Sequence, residues 1–294
     1  MAFNTETIRN VTINTGNIMS LNDITKKPGQ NPTEELSEAI KITLKEWNST
    51  DDHAQNITVS RRHDDLVDKM AAHERADLKV AIKLFVNSDS EKALNDAVLN
   101  VFSTLKVDSL DNLVLSYNYK QQDNEEDNKL EHLKTLWLGL EKFAKERKIL
   151  QIGLSDIEEA TFRALHEWAS VKPHIIQINL ATCCVVPPTL QAFCKEHEVQ
   201  LLTHSDPSEI LPNTSIMDIF GDTNLEMYWA LRFLVHIKCR GVLTTKGYAV
   251  TIGSSSSPRS GRRTGLYVCP LSLSRLVREL LSTVSAEGST YRVN

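Results

Sequence analysis

ILQIGLSDIEEATFRALHEWASVKPHIIQINLATCCVVPPTLQAFCKEHEVQLLTH, residues 149–204, decides the fold. It opens on a short apolar run, Ile149–Ser155, and Ser155 stands three residues before Glu158, the spacing of a capping box. Phe162, Leu165 and Trp168 then recur at helical spacing, and Pro173 stops that helix. His174–Leu180 reads as a second strand. Leu190, Phe193 and Cys194 mark the face of a second helix, and Val199–His204 reads as a third strand. Strands alternating with helices imply right-handed parallel crossovers and an α/β fold. Such folds place their sites beyond the carboxyl ends of the strands. The loops after Leu154, Leu180 and His204 are therefore where chemistry is expected.

The same alternation extends outward. Val80–Val86 reads as a strand, followed by a helix burying Ala93, Leu94, Ala97, Val98, Val101, Phe102 and Leu105. Asn112–Tyr117 is the next strand, and Leu133, Leu136, Trp137, Leu140, Phe143 and Ala144 give an amphipathic helix leading into Ile149. Upstream, Thr33 begins a helix with Leu36, Ala39, Ile40, Leu44 and Trp47 on its apolar face. Weak strands are expected at Val11–Asn14 and Ile57–Ser60. Downstream, Leu225–Ile237 reads as a helix and Gly241–Thr245 as a short strand. About eight strand–helix units result, which suits a TIM barrel, a (β/α)8 fold, over residues 1–252. From Gly253 the composition changes. SSSSPRSGRR at 254–263 reads as a flexible basic linker, so 253–294 is expected to be a poorly ordered tail.

Composition narrows the function. With 41% hydrophobic residues, the 294-residue chain has enough for a sizeable core, and its formal charge of −5 gives no global basic field for nucleic acid. The start, MAFNTETIRNVTINTG, has no apolar signal region, so a soluble cytoplasmic protein is expected. Five cysteines at irregular spacing, Cys183, Cys184, Cys194, Cys239 and Cys269, argue against a disulfide framework. No G-x-G-x-x-G, Walker A or H-E-x-x-H string occurs. Cys183, Cys184 and His204 make a poor metal set, because adjacent cysteines rarely share one tetrahedral ion.

The order IGLSD (152–156) followed by QINLATCCVVPPTLQAFCKEHEVQLLTHSDP (177–207) resembles the second half of the aldo-keto reductase barrel. DLKVAIKLFV (77–86) resembles that family's third strand and DSLDNLVLSYN (108–118) its fourth. The resemblance puts Lys83 on the catalytic lysine and Ser116 where the catalytic histidine would be. The stretch around 48–65, where the family's Asp-x-Ala-x-x-Tyr-Gly belongs, has no tyrosine; the first tyrosine of the chain is Tyr117. Hydride addition to a carbonyl leaves an alkoxide that needs a proton from a positioned acid. Lys83 without tyrosine and histidine has nothing evident to activate, and an ion-paired or buried-stem lysine is expected. Tyr117 or Tyr119 is the alternative acid, and alternation along the strand lets only one of them point inward. RGVLTTKGY (240–248) aligns loosely with the reductase loop that holds NADPH, with Lys246 as a remnant.

A narrower resemblance covers residues 14–250. LSEAIKITLKEWNS (36–49), KVAIKLFV (79–86), NLATCCVVPPTLQAFCKEHEVQLLTHSDPSEIL (179–211) and VHIKCRGVLTTKGY (235–248) together resemble the family of glutamate–cysteine ligase regulatory, or modifier, subunits. That resemblance implies a non-catalytic barrel that binds the ligase's catalytic subunit as a heterodimer. It implies better glutamate use and weaker glutathione feedback in glutathione biosynthesis. ATP and Mg²⁺ would then belong to the catalytic partner, with no cofactor or metal on this chain. Docking is expected at the C-terminal mouth around Cys183, Cys184, Pro187 and Pro188, with Cys239 as a further redox candidate; Cys194 is expected to face the core. An NADPH-dependent reductase with a substituted proton donor, and a stand-alone metabolite sensor, are the alternatives.

Overall fold

In the computed structural model, residues 10–25, 31–47, 56–118, 126–179, 186–222 and 224–254 are described. Along the chain come β1 (Asn10–Asn14), α1 (Asn22–Thr25), α2 (Pro32–Glu46), β2 (Asn56–Ser60), α3 (Leu66–Ala71), β3 (Leu78–Val86) and α4 (Glu91–Leu105). Then follow β4 (Leu110–Tyr117), α5 (Glu126–Lys145), β5 (Ile149–Ser155), α6 (Glu159–Trp168), β6 (Ile175–Asn179), α7 (Pro188–Glu196), β7 (Gln200–His204), α8 (Asn213–Phe220), β8 (Leu225–Ile237) and β9 (Val242–Ser254). The α/β class and the mostly parallel sheet are as the sequence implies. The sheet runs β2-β1-β9-β8-β3-β4-β5-β6-β7. β3 to β7 form an unbroken parallel series, β1 pairs parallel with β2, and the β8–β9 hairpin lies antiparallel between the two groups.

Local chemistry explains several boundaries. Asn31 caps α2 by accepting from the Glu34 amide at 2.9 Å, with Pro32 in the first turn, where its missing N–H costs nothing. Ser90 caps α4 by accepting from the Ala93 amide, and α4 ends on Lys106 in the left-handed region. Ser155 is a correction. It ends β5, fully buried, and α6 begins at Glu159 with no side-chain cap. The Ser155 hydroxyl instead donates to the Asp156 carboxylate at 2.8 Å.

The last quarter holds the larger correction. Leu225–Ile237 is a 13-residue strand, not a helix, and its partner β9 is equally long rather than a five-residue strand. Trp229, Leu231, Phe233 and Val235 alternate onto one sheet face, while Met227 and Ala230 reach the other. Both faces are covered, so both carry apolar residues and the period of two is blurred in the sequence. β9 continues to Ser254, past the expected start of the tail; residues 255–294, including Cys269, lie outside the described residues.

Two apolar clusters flank the sheet. One joins Leu78, Val80, Ile82, Leu84 and Val86 of β3 to α4, α5, α6 and α7. The other joins Val11 and Ile13 of β1, Phe85 of β3, and Tyr248, Val250 and Ile252 of β9 to α2 and α8. Cys194 packs beside Leu190 in the first cluster, as expected. No described helix is long and apolar enough to cross a membrane.

Candidate functional site

Lys83 on β3 pairs directly with Arg232 on β8, and Arg232 with Tyr248 on β9, so three polar side chains form one row across three strands. Two like charges directly opposite one another repel. Asp206, two residues beyond β7, supplies the compensating charge. Its Oδ2 accepts from Lys83 Nζ at 2.7 Å and from Arg232 Nη2 at 3.0 Å, while Oδ1 accepts from Arg232 Nη1 at 2.5 Å. Lys83 and Asp206 are each only 5% exposed. In the sheet order β7 stands four strands from β3, about 19 Å if the sheet were flat. The 2.7 Å contact therefore requires a strongly curled sheet that brings the end of β7 back over β3 and β8.

The network continues on both sides. The Asn179 amide at the end of β6 donates to the Asp206 carbonyl at 2.7 Å. His204, the last residue of β7, places Nε2 2.9 Å from Asp156 Oδ1 and 3.1 Å from Ser155 Oγ, and Nδ1 3.3 Å from Asp206 Oδ2. On the other flank Tyr248 donates its hydroxyl to Glu35 of α2 at 2.6 Å, and Lys246 pairs with the same carboxylate at 2.6 Å. Lys83 and Arg232 both approach the Phe85 ring, at 5.5 and 5.9 Å from its centroid.

Charge states follow from this geometry. Burial favours the neutral form of Asp206, but the hydrogen bonds from His204 and Arg232 and the charges of Arg232 and Lys83 outweigh it. Its carboxyl is held far below the ordinary carboxylate range. Burial lowers the Lys83 ammonium, and Asp206 limits the drop. Burial, followed by the Glu35 charge, drives the Tyr248 phenol up. A reductase acid needs the opposite shift, toward the operating pH. Tyr248 donates its hydroxyl to Glu35.

Among the residues singled out from sequence, Lys83 is the ion-paired lysine expected. Ser116 pairs in register with Phe85 and Ser155 and shares the sheet face of Lys83. Tyr117 takes the opposite face, buried against the helices, with its hydroxyl 3.1 Å from His132 Nδ1. Tyr119, Cys183 and Cys184 lie outside the described residues. Pro187 and Pro188 lead into α7 on the side of the β-strand carboxyl ends. Cys239 is exposed in the β8–β9 turn, next to the start of β3 at the opposite end of the sheet. It cannot share one surface patch with Pro187 and Pro188. Lys246 is committed to Glu35. Among the described residues no group of three or more His, Cys, Asp or Glu side chains is arranged to hold a metal ion.

Asp206, Arg232, Asp156 and Tyr248 were not singled out from sequence, although Asp156 and Asp206 sit in two of the three loops where chemistry was expected. Arg232 was hidden by the misread strand.

The fold is parallel-rich, with a lysine in the middle of its third strand. The Aldo/keto reductase family model matches residues 63–206. The chain is 34% identical over 256 residues to the human glutamate–cysteine ligase regulatory subunit, covering 82% of this chain and 91% of the human one. It is 35% identical over 252 residues to the bovine protein of the same name, covering 80% and 90%. The chain belongs to the glutamate–cysteine ligase regulatory subunit family.

Proposed function

We propose that this chain regulates glutathione biosynthesis by binding the catalytic subunit of glutamate–cysteine ligase in a cytoplasmic heterodimer. Binding improves glutamate use and relieves glutathione feedback. The chain performs no chemistry of its own; ATP and Mg²⁺ are held by the partner, and no NADPH is needed. The observation that carries this reading is the similarity to curated regulatory subunits over nine-tenths of their length. The ion pair of Lys83 with Asp206 is compatible with it.

Physically, regulation of this kind is a coupling free energy. The conformation of the ligase that this chain binds must favour glutamate over the inhibitor, typically by about 1–3 kcal/mol. Docking through the C-terminal mouth, around Cys183–Pro188, uses loops that vary while the strands stay fixed, and Pro187 and Pro188 reduce the ordering cost.

The test is a pull-down from cell extract with the full chain, assayed for ATP-dependent γ-glutamylcysteine formation. A much larger ligase chain is expected to co-purify, with a lower apparent KM for glutamate when this chain is present. Rapid NADPH-dependent reduction of an aldehyde by the purified chain alone would overturn the non-catalytic reading. Cys183→Ser and Cys184→Ser variants, run on a non-reducing gel, report whether either thiol links the two subunits.

A further inference from the structure

The His204 imidazole stands between two carboxylates that belong to different loops. Nε2 is 2.9 Å from Asp156, the first residue after β5, and Nδ1 is 3.3 Å from the side chain of Asp206, beyond β7. Nδ1 also lies 3.1 Å from the backbone amide of Asp206, which donates to it when that nitrogen carries no proton. One ring nitrogen thus has two alternative partners on the same residue, and its protonation selects between them. β6 lies between β5 and β7, so the bridge spans the strand that leads into residues 180–185.

We propose that His204 is a pH-sensitive latch between the β5–α6 and β7–α8 loops, tight when the imidazole carries both protons and slackened when it carries one. In the tight state both ring N–H groups donate to ionised carboxylates, the stronger kind of hydrogen bond. In the slack state Nε2–H still donates to the Asp156 carboxylate but without the imidazolium charge, and Nδ1 accepts the Asp206 amide instead. The groups facing the ring are Asp156 and Ser155 from β5 and its loop, Asp206 from its own loop, and the Lys83 charge from β3. Arg232 from β8 reaches it through Asp206.

Burial opposes the imidazolium and Lys83 repels it, but the two carboxylates prevail, so His204 holds its second proton above the ordinary histidine value. The sign follows from linkage. A folded pKa above the unfolded one gives stability fully present below the unfolded value, about 6.5, and lost as pH rises through the folded value. Acidification therefore tightens this mouth.

The experiment is a ¹⁵N NMR titration of the full chain from pH 5 to 9, with amide-exchange protection measured at Asp156, Ile157 and Asp206. His204 is expected to titrate above about 6.5. Protection at Asp156 and Ile157, corrected for intrinsic exchange, is expected to fall as the ring loses its second proton, by about tenfold for each pH unit that the folded value exceeds the unfolded one, while the Asp206 amide, which gains Nδ1 as its acceptor, moves the other way. Asp156→Asn keeps the residue's size and removes one carboxylate charge, and it is expected to lower the His204 pKa. An ordinary His204 titration with flat protection, or an Asp156→Asn variant that leaves the His204 value unmoved, would overturn the latch.

Discussion

Asp206 is the residue on which the centre of the molecule depends, because its carboxylate pairs with both Lys83 and Arg232. Removing one member of a buried, hydrogen-bonded charge set leaves the others uncompensated and costs about 3–5 kcal/mol. Asp206→Asn is expected to lower the urea midpoint accordingly, without a change in slope. The effect has a pH sign. The native carboxyl is depressed, so its contribution stands at neutral pH and is lost as pH falls below the ordinary carboxylate value of about 4. Wild type and Asp206→Asn are therefore expected to converge in stability in acid. Gly247 is constrained differently. A Cβ there would collide with the Gly16 carbonyl and the Phe233 ring. Gly247→Ala is expected to exceed the ~1–3 kcal/mol usual for overpacking, because one of the two obstacles is backbone; a thermal melt checks it.

At the scale of elements, Glu141 joins α5 to the segment after α6. It is 1% exposed, and its Oε1 accepts from the Ser170 and Val171 amides at 2.7 and 2.9 Å. Glu141→Ala removes two hydrogen bonds from the Ser170 and Val171 amides to a charged acceptor, each worth about 1.5–3 kcal/mol. Faster exchange at those two amides is the specific readout, distinguishing loss of this tie from general destabilisation. β8 shows how a strand escapes sequence reading. EMYWALRFLVHI has aromatic and β-branched residues suited to a strand, yet apolar residues fall on both faces. Arg232 at its centre looks like the polar side of a helix. What holds it as a strand is pairing with β3 on one side and β9 on the other, which no local window contains. Phe233, fully buried against Gly247, is the sensitive position: Phe233→Ala is expected to cost about 3–5 kcal/mol in denaturant unfolding.

On the scale of the whole molecule, the prediction concerns assembly. Binding free energies are reciprocal, so if this chain tightens glutamate on the ligase, glutamate must tighten the two subunits by the same factor, typically about 5–150-fold. Titrating labelled chain against catalytic subunit, with and without saturating glutamate, checks it; an unchanged dissociation constant excludes coupling through equilibrium affinity.

The sequence by itself determined the class of the fold, because a parallel βα run writes its period into each segment: apolar strands, amphipathic helices and stops at proline and glycine are local facts. It also pointed to the loops after β5 and β7. Only the tertiary structure decided that β8 and β9 enter the sheet as a hairpin, and that Asp206 reaches Lys83 and Arg232. Residues 83, 206 and 232 are far apart along the chain, and what joins them is the curvature of the sheet, which brings the end of β7 over β3 and β8. A counter-charge delivered across such a distance leaves no periodic trace in the amino-acid order.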